Sequence, residues 1–257
     1  MTQDLTGQVA IVTGGSDGIG LATAALLVRR GATVVICGRR QEQLDIANAH
    51  IEAEGGKVEA VQLDVTDFPA FEGLIQDVAA RHGRLDMLVN NAMSVHYAPI
   101  SKLTLDHWRK DFAVNTEAVF VGTKAAMAVM AKQGKGSIVN ISSTTGIRAM
   151  ANYASYSASK AALIQFTAVA AMEGALQGIR VNAIVPGQVN TAATADFALK
   201  APDLAAKTAG AIPMGRGGKP EELAEAIVFM LSDAASYITG VALPVDGGKS
   251  AQLYIPS

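Results

Sequence analysis

Tyr156 and Lys160 stand four residues apart, and Ser143 lies upstream in the run Asn140-Ile141-Ser142-Ser143. On a helix, positions i and i+4 share one face. A lysine cation beside a phenol favours the phenolate, so a tyrosine with an ordinary pKa of about 10 can exchange a proton near neutral pH. Such a pair is a general acid/base suited to an alcohol or a carbonyl. Taken alone, Tyr-x-x-x-Lys equally describes a surface tyrosine and a solvated lysine. The catalytic reading therefore depends on a second signal.

That signal is near the N-terminus. Gln8 to Thr13 is a short apolar run rich in β-branched residues. Gly14-Gly15-Ser16-Asp17-Gly18-Ile19-Gly20 follows, and then a helical stretch, Leu21 to Arg30, stopped by Gly31. Glycines let a backbone turn tightly and approach a ligand, and a helix N-terminus offers free N–H groups to a pyrophosphate. The spacing Gly14-x-x-x-Gly18-x-Gly20 departs from the G-x-G-x-x-G dinucleotide fingerprint. Its place between strand and helix still favours nucleotide binding over an ordinary turn. The same residues fit G-x-S-x-G, the nucleophile elbow of α/β-hydrolases. That triad needs an acid and then a histidine after the serine. The four histidines are His50, His82, His96 and His107, with none beyond residue 107. A hydrolase built on Ser16 is thus a remote reading.

The elements that must position these groups follow from the apolar pattern. Strands are expected at Val9–Thr13, Thr33–Gly38, Lys57–Leu63, Met87–Asn90, Gly136–Ser142, Arg180–Val185 and Val241–Val245. Helices are expected at Gly18–Arg30, Arg40–Glu54, Asp67–Arg81, Thr104–Ala131, Tyr156–Gln177 and Pro220–Leu231. Thr104 is a candidate cap, with Asp106 and His107 in the first turn. Lys219-Pro220-Glu221-Glu222 opens the last helix with proline and acids, as helix starts prefer. The strands are near-continuous Val/Ile/Leu runs, which implies a parallel, doubly wound sheet covered on both faces. Ligands bind such sheets at the carboxyl ends of the strands. Asp64, Asn90-Asn91, Ser142-Ser143 and Pro186-Gly187 fall there.

The 257 residues suffice for one well-buried α/β domain, and 50% of them are hydrophobic. With 21 basic and 23 acidic residues the net charge is −2, which points to no nucleic-acid or membrane partner. The lone Cys37 cannot form an internal disulfide and fits a reducing cytoplasm. No signal core, membrane-spanning stretch, zinc spacing or repeat stands out, so the expectation is one domain over residues 1–257, without metal.

The chain resembles the short-chain dehydrogenase/reductase family from about Leu5 to Gly248. The matching motifs are Thr13-Gly14-Gly15-Ser16-Asp17-Gly18-Ile19-Gly20, Asn90-Asn91-Ala92, Asn115 within Asp111-Phe112-Ala113-Val114-Asn115, Ser143, Tyr156-Ser157-Ala158-Ser159-Lys160 and Pro186-Gly187. The resemblance implies a Rossmann-type sheet of about seven strands, a nicotinamide cofactor, and a homotetramer or homodimer. It assigns Tyr156 as the acid/base that protonates a carbonyl oxygen. Lys160 lowers the tyrosine pKa and holds the nicotinamide ribose, Ser143 orients the substrate oxygen, and Asn115 positions a water behind Lys160. Tyr153 is a decoy for the acid/base, because Ser157 stands four residues on. Ser143 is preferred to Ser142 because it lies thirteen residues before Tyr156, the family's usual spacing.

For the cofactor, the resemblance implies a pyrophosphate loop of Gly14, Ser16, Asp17, Gly18, Ile19 and Gly20. Asp64, with Val65 beside it, is assigned to adenine, and Asn91 and Ala92 to the ribose side. Pro186, Gly187, Val189 and Thr191 are assigned to the nicotinamide carboxamide and phosphate. NAD-specific members usually place an acid where Gly38 stands. Here Arg39 follows at once, where a guanidinium can fork onto a 2′-phosphate. This favours NADP(H), although Asp17 occupies a position where many NADP(H) members carry a base. NAD(H) is the alternative.

Met93 stands where the family usually has glycine. It is expected to shape a substrate pocket with Ser94, Thr145, Tyr153 and Gln188, with Val95, His96 and Ile147 nearby. The segment 190–215 corresponds to the family's variable lid and is rich in alanine (Ala192, Ala193, Ala195, Ala198). The tail 249–257 carries Leu253, Tyr254 and Ile255, expected to pack on a neighbouring subunit. A mostly apolar pocket points to an uncharged small-molecule ketone or secondary alcohol. A 3-oxoacyl thioester reductase of the same family is the alternative, and a non-catalytic cofactor-binding protein a remote one.

Overall fold

The seven apolar runs form one sheet of parallel strands in the order β3-β2-β1-β4-β5-β6-β7. The computed structural model describes residues 4–191, 194–195 and 199–252. The tail residues Leu253, Tyr254 and Ile255 and the alanines 192, 193 and 198 lie outside the described residues. The first half runs β1 (Val9–Thr13), α1 (Gly18–Arg29), β2 (Thr33–Gly38), α2 (Gln41–Ala53), β3 (Glu59–Gln62), α3 (Phe68–His82) and β4 (Met87–Asn90). The second runs α4 (Leu105–Phe112), α5 (Ala118–Gln133), β5 (Gly136–Ile141), α6 (Ala154–Ala175), β6 (Ile179–Pro186), α7 (Pro202–Gly210), α8 (Pro220–Leu231) and β7 (Ala242–Val245).

Both faces of the sheet are covered, which is why the strands read as continuous apolar runs. Ala10, Val12, Val34 and Ile36 face a core built with Leu27 of α1, Leu44 and Ile51 of α2, and Ile227 of α8. Val9, Ile11, Val35 and Leu88 face the other, with Phe71 and Ile75 of α3, Met130 of α5 and Ala170 of α6. Burying each such Ile or Leu contributes roughly 1.5–3 kcal/mol, so both layers hold the strand ends in place. The chain leaves β1 for β2 on one side and returns to β4 on the other. This places a crevice at the carboxyl ends of β1 and β4.

One expected helix breaks into three pieces. Thr104–Ala131 becomes α4, a π-helical turn at Ala113–Glu117, and α5. Thr104 does cap α4, accepting the His107 N–H at 3.1 Å. The π-turn inserts a wider loop into the ladder and carries Asn115 at its centre. Helix α6 begins at Ala154 rather than Tyr156, so Tyr156 sits within its first turn. Helix α7 was not expected; it lies in the alanine-rich segment before α8. β3 is shorter than Lys57–Leu63, because only Glu59–Gln62 pairs with β2.

Candidate active site

β5 ends at Ile141 and delivers two serines with different fates. The Ser142 hydroxyl is buried and donates to the Lys160 carbonyl at 2.9 Å, tying the strand end to α6. The Ser143 hydroxyl instead lies beside Tyr156 and draws its phenol pKa downward. Thr145 donates to the Ser143 oxygen twice, from its N–H at 3.2 Å and its hydroxyl at 3.1 Å. With its lone pairs so engaged, Ser143 keeps its own proton to donate. Thr145, expected against substrate, spends both donors aiming Ser143.

Tyr156 is buried against the ring of Tyr153, 6.2 Å away and edge-on at 64°. Burial pushes its phenol up to about 12, only partly opposed by the Ser143 hydrogen bond. Lys160 is 2% exposed; its Nζ donates to the Ile141 carbonyl at 2.7 Å and lies 5.7 Å from the centre of the Tyr156 ring. Burial pushes the lysine down to about 7. Lys160 Nζ sits over the ring face, and desolvation is the largest cause of the shift in both groups.

Asn115 is fully buried and acts as a clamp. Its Oδ1 accepts the Ser94 N–H at 2.9 Å, while its Nδ2 donates to the Ser94 carbonyl at 2.8 Å and to the Ser159 hydroxyl at 3.0 Å. Both amide protons are thus committed to joining the loop after β4 to α6. Ser94, expected in the substrate pocket, turns its hydroxyl onto Asp111 at 2.8 Å. Met93 is 53% exposed. Tyr153 bridges to Ala98 and packs edge-on against Tyr97 at 4.8 Å. The Gln188 Oε1 is buried without a hydrogen-bond partner, at the exit of β6.

The glycine loop is built for close approach. Gly14 and Gly18 adopt positive φ of 62° and 52°. A Cβ on Gly20 would fall 2.2 Å from the Gly14 carbonyl, so only glycine fits there. A Cβ on Gly18 would lie 3.1 Å from the Thr191 methyl, which brings the β1 loop and the β6 exit against one another. Gly187 lies so close to Asp246 that a Cβ would meet it at 2.8 Å. Asn91, expected on the ribose side, donates to the carbonyls of Thr13 and Gly14, both at 3.0 Å, and so holds the loop to β4. The Ala92 N–H is held by the Thr13 hydroxyl. Asp17 caps α1, accepting the Gly18 N–H at 2.7 Å. Asp64 accepts the N–H and hydroxyl of Thr66, and Val65 is buried beside it.

A family model described as enoyl-(acyl carrier protein) reductase matches residues 14–250. The 2,5-dichloro-2,5-cyclohexadiene-1,4-diol dehydrogenase of Sphingobium indicum is 41% identical over 97% of this chain and 99% of its own. This chain belongs to the short-chain dehydrogenase/reductase family. Another relative, the 3-oxoacyl-[acyl-carrier-protein] reductase of Thermotoga maritima, is 40% identical over 95% of this chain and 98% of its own. A crystal structure from Beutenbergia cavernae, provisionally described as an NAD(P)-dependent gluconate 5-dehydrogenase with NADP bound at low occupancy, superposes with a TM-score of 0.92. It shares 38% identity and covers 98% of this chain and 100% of its own. As a short-chain dehydrogenase/reductase the chain is an oxidoreductase of the alcohol–carbonyl couple that uses a nicotinamide cofactor. The positive-φ glycines and the unpartnered Gln188 oxygen at the β6 exit fit such a cofactor.

The hydrolase reading loses its base. His50 pairs with Glu54, His82 with Glu59 and His96 with Asp111, and His107 stacks on His96 at 4.3 Å. No group of three His, Cys, Asp or Glu among the described residues could hold a metal ion. Sequence reasoning missed Asp111 and Tyr97. Asp111 was legible in one respect: it precedes Asn115 by four residues, the spacing of one helical face.

Proposed function

We propose that this protein interconverts an uncharged ketone and its secondary alcohol, with Tyr156 as general acid/base and NADP(H) as the favoured cofactor. The observation that carries this reading is the buried pair of Tyr156 and Lys160 on α6, with Lys160 Nζ 5.7 Å from the centre of the Tyr156 ring and Ser143 beside the phenol. When bound, the nicotinamide cofactor supplies or accepts the hydride. The chain's own residues handle the oxygen and the proton. Burial keeps Tyr156 protonated at neutral pH, ready to give its proton as the carbonyl oxygen gains charge. Ser143 donates the second hydrogen bond to that oxygen, held in place by Thr145. Lys160 would hold the nicotinamide ribose and offset charge left on Tyr156, while Asn115, its side chain committed to Ser94 and Ser159, could hold a water behind Lys160 only through its backbone carbonyl.

Gly14, Ser16, Gly18, Ile19 and Gly20 would cradle the pyrophosphate, with Asp64 and Val65 toward adenine and Asn91 and Ala92 toward ribose. Pro186, Gly187, Val189 and Thr191 would hold the carboxamide end. NADP(H) is favoured because Arg39 is exposed directly after β2. The opposing charge of Asp17 is turned onto the first N–H of its own helix.

The substrate class follows from the walls. Tyr153 packs against Tyr156 and Tyr97 against Tyr153, giving an aromatic rim, and Met93 and Gln188 are the proposed apolar and polar contacts beside it. This suits a compact ring-shaped ketone, and a relative that acts on a cyclic diol supports it. The acyl-thioester relative keeps a 3-oxoacyl thioester as the second reading. Segment 190–215 would close over the substrate within one domain spanning residues 1–257.

A homotetramer is favoured over a homodimer by two exposed apolar faces. One holds Phe120 of α5 and Met172 of α6, and the other Phe229 of α8 and Tyr237. A cytoplasmic location fits the lone, buried Cys37. The test is a panel of cyclic ketones, acyclic ketones and 3-oxoacyl thioesters with NADPH and with NADH. Fastest turnover of a cyclic ketone with NADPH is expected. Turnover confined to thioesters would replace this reading with the second one.

A further inference from the structure

Asp111 is the most completely enclosed charge near the site, with 0% exposure, and no role in the chemistry above uses it. Four donors converge on its carboxylate. Ser155 Oγ donates at 2.5 Å, Ser94 Oγ at 2.8 Å and the His96 backbone N–H at 3.3 Å, while His96 Nδ1 lies at 2.7 Å. Burial draws the carboxyl pKa upward, but the hydrogen bonds from Ser155, His96 and Ser94 leave it below the usual value. The group is therefore an anion at neutral pH, compensated as a buried anion must be.

The partners share a geometry with those of Asn115. Asp111 and Asn115 lie one turn apart. Asp111 reaches Ser155, the residue before Tyr156, and Asn115 reaches Ser159, the residue before Lys160. Both also reach Ser94, in the loop after β4. Two rungs thus connect the same two segments, one level with Tyr156 and one level with Lys160. His96 extends the upper rung toward the surface, where it stacks on His107.

We propose that Asp111 is a positioning residue for Tyr156, fixing the first turn of α6 through Ser155 and the loop after β4 through Ser94 and His96. This rests on Tyr156 being the acid/base. The expected consequence is on turnover rather than on cofactor affinity, because a small displacement of a proton donor slows chemistry steeply.

The test compares Asp111→Ala, Asp111→Asn, Ser155→Ala and the Asp111→Ala/Ser155→Ala double variant with the parent enzyme on its best ketone. Rates are expressed per cofactor-binding site, and unfolding midpoints are recorded. Asp111→Ala is expected to lower kcat by roughly tenfold or more, with cofactor Kd within about twofold. Asp111→Asn, which keeps one acceptor oxygen, recovers part of the loss. Ser155→Ala lowers kcat on its own, and the double variant is no slower than Asp111→Ala, as expected for groups acting through one contact. Because Asp111 is buried, Ser155→Ala decides the matter if Asp111→Ala does not fold. Unchanged kcat per site in Ser155→Ala, or fully multiplicative losses in the double variant, would overturn the proposal. Tyr156→Phe run alongside separates the two claims: retained turnover there would overturn the acid/base assignment itself.

Discussion

Thr145 donates both its backbone N–H and its hydroxyl to the oxygen of Ser143, at 3.2 and 3.1 Å. A hydroxyl that already accepts twice keeps its own proton to donate, here beside Tyr156 and available to a substrate oxygen. Thr145→Val removes one of the two donors and keeps the shape. One neutral hydrogen bond is worth about 0.5–1.5 kcal/mol, so kcat should fall by roughly 2–10-fold. Steady-state kinetics on the preferred ketone checks this; a raised KM with unchanged kcat would return Thr145 to a substrate contact.

The cofactor choice can be tested at Gly38. A Cβ there would sit 3.4 Å from the Ser16 hydroxyl and 3.7 Å from Leu44, an ordinary contact, so an acid can be accommodated. Gly38→Asp should weaken NADPH binding by repelling its 2′-phosphate and improve NADH binding through the ribose hydroxyls. Paired fluorescence titrations of parent and variant read the switch. An unchanged NADPH/NADH ratio would remove the β2 exit from the account of specificity.

Lys160 makes a prediction about stability and pH. Burial lowers its pKa from 10.5 to about 7 in the folded chain. Between those values the unfolded chain holds a proton that the folded chain has lost, so stability from this group rises with pH across that window. Its penalty is largest below pH 7 and fades toward pH 10.5. Lys160→Met lacks this titration. The difference in unfolding midpoint, variant minus parent, should be most positive below pH 7 and shrink steadily as pH rises. A pH-independent difference would show that the lysine is not desolvated as the structure places it.

The assembly is tested on α6. Met172 is 80% exposed, and Leu176 just beyond the helix is fully exposed. The neighbouring Phe120 and Phe166 pack edge to face at 6.0 Å, so the surface of α5 and α6 is continuous. Met172→Asp combined with Leu176→Asp should reduce the particle mass by light scattering, because charge is disfavoured at the centre of an apolar interface. An unchanged mass would exclude this face from the assembly.

What could be read beforehand was what periodicity and short motifs encode. β1, β2 and β4 begin and end where the apolar runs do, because strands covered on both faces have no polar residue to blur their limits. The glycine turn was legible because Gly20 cannot carry a side chain beside the Gly14 carbonyl. The break in Thr104–Ala131 was not, because a π-turn leaves the apolar pattern of a helix nearly intact. Thr145 and Ser94 were seen as pocket residues but not as the holders of Ser143 and Asp111. Their partners come from folding rather than from spacing. The depressed Lys160 and raised Tyr156 were also out of reach, since spacing reports neighbours and not desolvation.

The role of Tyr156 as proton donor is tested by turnover of Tyr156→Phe at saturating ketone, with cofactor binding measured on the same preparation. A proton donor lost at this position should lower kcat by about 10²-fold or more with cofactor affinity retained. Turnover within about twofold of the parent would contradict it and place the acid/base elsewhere in the site.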